Sequence, residues 1–399
     1  MKDNRFEFLE SNIEDEEITR PSLTYWQDAW RRLKKHKLAM IGIVLIVFIV
    51  LFGTVGPYLT PYSYSDQSND FKNLPPRLDV FEVEEGINLY LSNDYNMFLV
   101  LENGKMDRKL KLDHRDAINK VYTYLLDAGN SEEVVILDFS YNTLKDKQGY
   151  DYNFTIEYKG EIFKYTTGSK FNMSFPFGTD DLGRDILTRV MYGARISLLI
   201  AVIATMVNLF IGVIYGSISG FEGGRVDNIM MRIVDIINSI PLMLYVILLM
   251  VWFRKSDGLT NIIIALSSVF WVGMARLVRG QMLSLKEQEF VLAARVIGVP
   301  KHKIILRHLI PNAIGPIIVA MTMMIPTAVF TEAFLSFIGL GVSAPQASWG
   351  TLANNALSGL ITYPYQLFFP ALAIAITMLA FNFLGDGLRD ALDPRLRKG

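Results

Sequence analysis

The sequence predicts an all-α polytopic membrane protein with six transmembrane helices and a folded module inserted between the first two. Hydrophobic residues make up 51% of the 399 residues, and the mean hydropathy is positive, a composition typical of membrane proteins. Apolar runs of about 20 residues, the length that crosses a hydrocarbon core of ~30 Å, recur along the chain. A polar, tyrosine-rich stretch from Thr60 to Asn172 separates the first run from the others.

The N-terminal region, residues 1–37, is expected to precede the membrane. Met1–Thr19 is acidic and weakly apolar, which predicts a disordered or loosely docked tail. Leu23–Lys37 combines aromatic residues on one face with several cations, which predicts a helix at the membrane interface. The first transmembrane helix is predicted over residues 38–60, and the cations just before it place the N-terminus in the cytoplasm. No cleaved signal peptide is predicted, because this run is long enough to span and no cleavage site follows it.

Residues 61–176 form the predicted inserted module, outside the membrane. Val134–Tyr141 and Tyr152–Tyr158 alternate as strands do, and Lys159–Gly160 predicts a hairpin turn after the second. Leu112–Asp127 carries apolar residues at helical spacing, which predicts a helix. We therefore expect a small extracellular α+β module. Two roles stay open for it: a structural cover, and a dock for a receptor that delivers a solute.

The membrane core is predicted over residues 177–399. Its further transmembrane helices are expected at Ile196–Ser219, Ile236–Phe253, Leu259–Val278, Ile314–Phe330 and Leu367–Phe383. Pro241 should break the third transmembrane helix near its start, and Pro316 and Pro326 should kink the fifth. Six crossings would leave both termini in the cytoplasm.

Two connections within this core have their own patterns. Phe221–Asp235 is predicted to be a cytoplasmic turn with two arginines. Glu332–Tyr365 is predicted to be an outer segment, because it is too polar and glycine-rich to span. Within it, Phe334–Leu340 is compatible with a segment that re-enters protein-lined space, where irregular backbone is tolerated.

The loop at residues 284–312, between the fourth and fifth apolar runs, contains two short helical patterns. Glu289–Ile297 places apolar residues on one stripe, namely Phe290, Ala293, Ala294 and Ile297. Gly298 should end this helix, and Lys301–Leu309 should form a second, basic one. The residues alone allow two interpretations. The first is a helix resting on the lipid surface, and the second is a surface whose small side chains let another protein approach the backbone.

Several classes of function are disfavoured. The sequence has no cysteine, no G-x-x-x-x-G-K-[ST] loop and a formal charge of −1, which argues against thiolate chemistry, P-loop nucleotide binding and bulk attraction to nucleic acid. No catalytic grouping is present, so we expect neither an enzyme nor a bound cofactor. Asp180, Asp181 and Asp185 would suit a metal, but neighbouring arginines favour a solvated, capped helix start. The predicted spans contain few ionisable groups, which argues against a proton- or sodium-coupled transporter.

Five ordered blocks resemble the permeases of dipeptide and oligopeptide ABC importers. They are FGTDDLGRDILTRVMYGARISL (177–198), GGRVDNIMMRIVDIINSIP (223–241), EFVLAARVIGVP with RHLIPNA (289–313), EAFLSFIGLGVSAPQASWG (332–350) and NFLGDGLRDALDPRLR (382–397). The segment RPSLTYWQDAWRRLKKHKLAMIG (20–42) is similar to the start of the C-type subunit of such a permease pair. The resemblance covers the first span and everything after Phe177, and it leaves the insert unexplained.

This resemblance implies the fold of a type I ABC-importer permease in the bacterial cytoplasmic membrane. It implies a heterodimer with a second, B-type permease, two cytoplasmic ABC ATPase subunits and an extracellular solute-binding protein that delivers peptides. The loop at 284–312 resembles the coupling helix that docks on an ATPase, although Leu292 stands where the general motif has Glu. The docking residues implied are Glu289, Phe290, Ala293, Ala294, Arg295, Gly298 and Lys301.

Four residues are candidates for the translocation pathway, and fewer observations point to them than to the docking residues. Asn208, Met321, Met324 and Asn382 are polar or flexible side chains in predicted spans, and each has helix packing as its competing interpretation. Two further functions stay open. The same scaffold would serve another solute, such as a nickel complex, a sugar or an antimicrobial peptide, and a membrane receptor or adaptor would bind without transporting.

Overall fold

The computed structural model describes residues 24–127, 130–140, 154–253, 258–342 and 345–393. The predicted tail Met1–Thr19 lies outside these residues. Within them, the α-helices are α1 (Tyr25–Lys35), α2 (Lys37–Thr54), α3 (Ile186–Glu222), α4 (Gly224–Ser239), α5 (Leu242–Trp252), α6 (Gly258–Val269), α7 (Trp271–Leu285), α8 (Glu289–Val296), α9 (Lys301–Ile304), α10 (Ile310–Leu335), α11 (Trp349–Asn355) and α12 (Tyr365–Leu392).

The described residues contain five helical runs that are long and apolar enough to cross a membrane. They are Lys37–Thr54, Ile186–Glu222, Gly258–Leu285, Lys301–Leu340 and Tyr365–Leu392. A sixth crossing exists if α4 and α5 count as one span, because they bend by 86° at a short break. Pro241 lies at that break, as predicted, since proline lacks the N–H that a continuous helix needs. The helical membrane fold is therefore confirmed at five to six apolar helices.

Several helices are longer than predicted. The predicted turn at 221–235 was wrong, because α4 begins at Gly224 almost directly after α3 ends at Glu222. Gly223 adopts a φ of +67° between them, a value that favours glycine. Glu332, predicted to begin an outer segment, lies inside α10, which continues into a π-helical turn at Ser336–Leu340. Pro316 and Pro326 both lie within α10, and the predicted kinks there stay predictions.

The inserted module consists of two five-stranded antiparallel sheets. Their strands are β1 (Arg77–Glu84), β2 (Ile87–Leu91), β3 (Met97–Val100), β4 (Met106–Lys109), β5 (Lys111–Asp116), β6 (Val121–Asp127), β7 (Asn130–Asp138), β8 (Thr155–Tyr158), β9 (Glu161–Phe163) and β10 (Gly168–Phe171). The first sheet has the order β10-β1-β2-β3-β4 and the second β5-β6-β7-β8-β9. The sheets share a core in which Leu89, Met97, Val135 and Ile156 are fully buried.

The predicted helix at Leu112–Asp127 was wrong, and so was the α+β class of the module. Strands β5 and β6 occupy this stretch and pair in antiparallel register from Lys111↔Leu125 to Asp116↔Val121. Every second residue of β6 from Tyr122 to Leu126 is buried, a period of two rather than of a helix. The described residues of the module contain strands, turns and loops, with 3-10 geometry at Asn69–Phe71 and at Ser140, and no α-helix.

The predicted hairpin turn at Lys159–Gly160 is confirmed. Strands β8 and β9 pair with Tyr158 opposite Glu161, so Lys159 and Gly160 form a two-residue connection. Their φ angles are +50° and +82°, and positive values at both central residues match the right-handed twist of the flanking strands.

Thr179, in the segment between the inserted module and α3, connects the module to the helical core by hydrogen bonds. The Thr179 hydroxyl donates to the Phe71 carbonyl at 2.5 Å and accepts from the Leu74 amide at 2.8 Å. The Gln366 side chain at the start of α12 donates to the Thr179 carbonyl at 3.1 Å. Asp185 caps α3 by accepting from the Thr188 amide at 2.9 Å, and its burial raises the pKa of its carboxyl. The predicted cap is thus confirmed, but the predicted solvation was wrong, because Arg184, Asp185 and Arg189 are all buried.

Candidate coupling surface and translocation cleft

The loop at 284–312 folds as a compact turn that joins α7 to α10. Helix α8 follows α7 after three residues, a turn at Gly298 ends it, and α9 leads through a π-helical turn, Ile305–Leu309, into α10. Gly298 has a φ of +85°. Its amide donates to the Arg295 carbonyl at 3.0 Å, so glycine supplies the left-handed residue that closes a helix end.

One face of α8 is apolar and exposed. Phe290 and Leu292 are 41% and 45% exposed, and Val296 and Ile297 are 88% and 80% exposed. Ala293 lies among them and is exposed. Charged residues flank this stretch on both sides, namely Lys286, Glu287, Glu289, Arg295 and Lys301. An exposed apolar patch rimmed by polar groups is typical of a protein interaction site.

The other face of α8 packs against the helical bundle. Val291 is fully buried and Ala294 is 7% exposed, both in a cluster with Met282 and Leu309. Of the docking residues implied by the resemblance, Ala294 therefore lies on the inward side. Glu289, Phe290, Ala293 and Gly298 lie on the open side.

The two remaining docking candidates contact the end of α3. The Lys301 ammonium lies 2.8 Å and 3.0 Å from the two carboxylate oxygens of Glu222. The Arg295 guanidinium lies 5.1 Å from the centre of the Phe221 ring, within cation–π distance. These contacts connect the loop at 284–312, which we call the coupling loop after its resemblance, to the C-terminal end of α3.

A charged cluster missed by the sequence prediction holds the same end of α3. Asp227 of α4 is 6% exposed. It accepts two hydrogen bonds from the Arg279 guanidinium of α7, at 2.5 Å and 2.6 Å, and one from the Ser219 hydroxyl of α3 at 2.5 Å. Three helices therefore meet at one bidentate pair, an arrangement that fixes their relative orientation.

A glycine stripe brings α3 and α7 into close contact. Gly212, Gly216 and Gly220 are spaced by four, and a Cβ on Gly216 would lie 2.4 Å from the Ala275 carbonyl oxygen. Small residues at this spacing let transmembrane helices approach backbone to backbone. The G-x-x-x-G-x-x-x-G pattern is visible in the sequence and would have predicted this packing.

A cleft of about 460 Å³ lies at the break between α4 and α5. Met324 and Thr327 of α10 line one side of it. The other lining residues are Asn238, Ile240, Pro241, Leu242, Val269, Phe270, Val272 and Gly273. The cleft is mostly apolar and opens beside a broken helix, which is where transporters place substrate contacts.

The structure does not bring the four pathway candidates together. Met321 and Met324 both pack against the apolar cluster beneath the loop at 284–312, and Met324 also lines the cleft, whereas Met321 does not. Asn208 is fully buried in α3, and neither atom of its amide has a hydrogen-bond partner among the described residues. Asn382 of α12 is half-buried and does not line this cleft.

A second cluster missed from the sequence surrounds Glu332, which is fully buried. Its carboxylate oxygens accept from the Ser197 hydroxyl of α3 at 2.8 Å and from the Ser336 hydroxyl at 2.7 Å. The Ser197 hydroxyl also accepts from the Trp349 amide at 3.2 Å. These hydrogen bonds join α3, α10 and α11 at the C-terminal end of α10.

Comparison with known proteins decides the family. Residues 212–398 match the family described as binding-protein-dependent transport system inner membrane component, and residues 24–76 match the N-terminal TM domain of oligopeptide transport permease C. The chain is 40% identical to the dipeptide transport system permease protein DppC of Bacillus subtilis (strain 168), over 98% of this chain and 92% of that one. It is 41% identical to the oligopeptide transport system permease protein OppC of the same strain, over 99% and 98%. The chain belongs to this permease family.

As a member of the family, this permease is a multi-pass membrane transport subunit of the ABC-importer type. Its first matched region contains α1 and α2, and its second contains the coupling loop, the cleft and Glu332. Strands β1 to β10 fall between the two, yet both Bacillus relatives align across them. Oligopeptide permease OppC of Escherichia coli (strain K12) aligns over only 221 residues, at 47% identity. An inward-facing structure of the MetNI methionine transporter covers 51% of this chain and 96% of its own, with 21% identity and a TM-score of 0.44.

Proposed function

We propose that this permease is the C-type subunit of an ATP-driven importer of dipeptides or oligopeptides. The observation that carries the proposal is the likeness over nearly the whole chain to DppC and OppC. The sequence has no P-loop, so ATP would be hydrolysed by partner subunits. A B-type permease, two ABC ATPases and an extracellular binding protein would complete the transporter.

The proposed topology has six crossings, with both termini and the coupling loop in the cytoplasm. Counting α4 and α5 as one crossing supports it, because an even number returns the chain to its starting side. Two contacts agree with this arrangement. Lys301 of the loop reaches Glu222 at the end of α3, and Tyr25 of α1 reaches the Leu392 carbonyl at the end of α12. The inserted module, residues 61–176, would then be extracellular.

The proposed mechanism transmits motion from the coupling loop to the cleft. An ATPase subunit would bind Phe290, Ala293 and the residues beside Gly298. The contact of Lys301 with Glu222 would pass the displacement to α3, and the Asp227–Arg279 pair would make α4 and α7 follow. Because α4 continues into the break at Pro241, its movement would open or close the cleft beside Met324.

The test is transport by the reconstituted assembly. The permease is combined in proteoliposomes with its partner subunits and binding protein, and accumulation of a labelled dipeptide and a labelled oligopeptide is measured. We expect ATP-dependent accumulation that stops when the ATPase nucleotide site is broken by mutation. Competition by nickel complexes or sugars but not by peptides would indicate another solute. Binding without accumulation would indicate a receptor or adaptor.

A further inference from the structure

Helix α1 lies at the membrane surface because it is joined directly to a membrane-spanning helix. His36 is the C-cap residue of α1 and also the N-cap residue of α2, which begins at Lys37. A complete capping box at Thr24 and Gln27 starts α1, so it is a defined helix rather than a frayed extension. Its position is therefore fixed at one end of the span.

The two faces of α1 differ. Ala29 and Leu33 are 6% and 5% exposed and pack on the bundle. The stripe beside these buried residues contains Trp26 and Trp30, which are 54% and 49% exposed. Lys34 continues that stripe one turn later, with its ammonium 5.3 Å from the Trp30 ring centre. Tryptophan favours the headgroup region of a bilayer, where its ring is apolar and its N–H is hydrated.

The exposed side of α1 is cationic. Arg31, Lys34, Lys35 and Lys37 are all exposed. The one acidic residue in residues 24–37, Asp28, accepts a hydrogen bond from Arg32 on the half-buried flank. Indole rings alone would suit any lipid. Several cations beside them favour a negatively charged headgroup, because each cation near an anionic surface adds attraction.

The buried side of α1 contacts two helices of the permease core. The Arg32 guanidinium donates to the Asp393 carbonyl at 3.5 Å, and His36 lies 3.5 Å from Asp390 at the end of α12. The Tyr25 hydroxyl lies over Gly315 near the start of α10, where a Cβ would be 3.1 Å away. α10 is the helix that follows the coupling loop, so α1 contacts the core next to the coupling machinery.

We propose that the exposed face of α1, defined by Trp26, Trp30, Arg31, Lys34 and Lys35, binds anionic phospholipid headgroups. The bilayer charge then holds α1 against the ends of α10 and α12. A neutral bilayer offers these cations no anionic headgroup. The surface is continuous with the membrane that α2 crosses, and its charge is complementary to a phosphatidylglycerol headgroup.

The experiment measures which lipid lies next to the two tryptophans. The full-length chain is placed in nanodiscs that contain either brominated phosphatidylglycerol or brominated phosphatidylcholine, and tryptophan quenching is recorded. The signal of a Trp26→Phe, Trp30→Phe variant is subtracted, which removes the contribution of other tryptophans. We expect phosphatidylglycerol to quench more strongly than phosphatidylcholine.

Charge variants make the test specific. Lys34→Glu with Lys35→Glu should weaken the preference for phosphatidylglycerol by about fivefold or more per cation, and Lys34→Arg with Lys35→Arg should retain it. Lys105→Glu with Lys111→Glu makes the same charge change on exposed residues of the inserted module and should leave the preference intact. Equal quenching by both lipids in the wild type, or an unchanged preference in the Glu variant, would overturn the proposal. Quenching by neither lipid would also overturn it, and would assign this face to a protein partner.

Discussion

Glu332 shows how a residue can be buried in a membrane helix without a cation beside it. Its two oxygens accept from serines of α3 and of the π-helical turn, and no salt bridge involves it among the described residues. A buried carboxylate without a cation is costly, whereas a carboxyl group satisfied by hydroxyls is less so. We infer that its role is to join α3 to α10 through hydrogen bonds.

Replacing Glu332 tests this role. Glu332→Gln should retain most of the stability, because an amide accepts from one serine and donates to the other. Glu332→Ala should lower the free energy of unfolding by about 2–4 kcal/mol, since it leaves two buried hydroxyls without their partner and creates a cavity. Thermal unfolding of the purified protein in detergent measures both. Glu102→Ala, at an exposed position of the inserted module, is the control, and equal losses in all three variants would contradict the account.

Gly298 provides a test of the coupling surface at a single residue. Its φ of +85° disfavours most side chains, but a Cβ there would meet no atom within 4 Å. Asn and Asp tolerate this backbone conformation best, so the two substitutions differ mainly in charge. We expect Gly298→Asp to transport roughly tenfold less or worse than Gly298→Asn, because an unpaired charge would enter the ATPase contact. Both should insert normally, and transport by Gly298→Asp at the level of Gly298→Asn would argue against docking at this turn.

At the scale of helices, the contact of α3 with α7 depends on missing side chains. Gly216 lies against the α7 backbone, and Gly220 lies against Met282 and the Arg279 carbonyl. Neither position has room for a methyl group unless the helices separate. The Asp227–Arg279 pair and the coupling loop contacts lie at the end of this seam, so separation would loosen the proposed transmission path.

Gly216→Ala should therefore destabilise the protein by about 1–3 kcal/mol through overpacking. Gly280→Ala is the matched control on α7, because a Cβ there meets nothing within 4 Å and alanine favours helix by up to about 1 kcal/mol. We expect a lower melting temperature for the first and an equal or higher one for the second. If the two variants have the same melting temperature, the contact between α3 and α7 is not tightly packed.

The elements that the sequence predicted well have strong local signals. Pro241 breaks a span and Lys159–Gly160 turns a hairpin, and both act within a few residues. The strands β5 and β6 were mistaken for a helix because Val121, Tyr124 and Leu125 also fit helical spacing. Asp116 accepts from the Ile118 and Asn119 amides, an Asx turn that divides the stretch into two strands. That local signal was present in the sequence.

At the scale of the whole molecule, the features that escaped prediction join residues far apart in the chain. Ser197 meets Glu332 across 135 positions, and Asp227 meets Arg279 across 52. No periodicity encodes such pairs, because they arise only when helices pack. The apolar stripe of Glu289–Ile297 acts within a few residues, so the sequence predicted a short helix here, and the structure confirms it as α8. The inward position of Ala294 depended on the packing of the loop against the bundle and needed the structure.

The proposed mechanism requires that an ATPase subunit binds the exposed face of α8. The chain has no cysteine, so Ala293→Cys introduces a single thiol on that face, and Lys105→Cys provides a control on the inserted module. The measurement is labelling by a membrane-impermeant maleimide before and after assembly, with cross-linking to a cysteine placed on the ATPase. We predict that assembly protects Ala293→Cys and that it cross-links to the ATPase, while Lys105→Cys stays reactive. Full labelling of Ala293→Cys in the assembled transporter, or labelling from the side of the inserted module, would contradict the account.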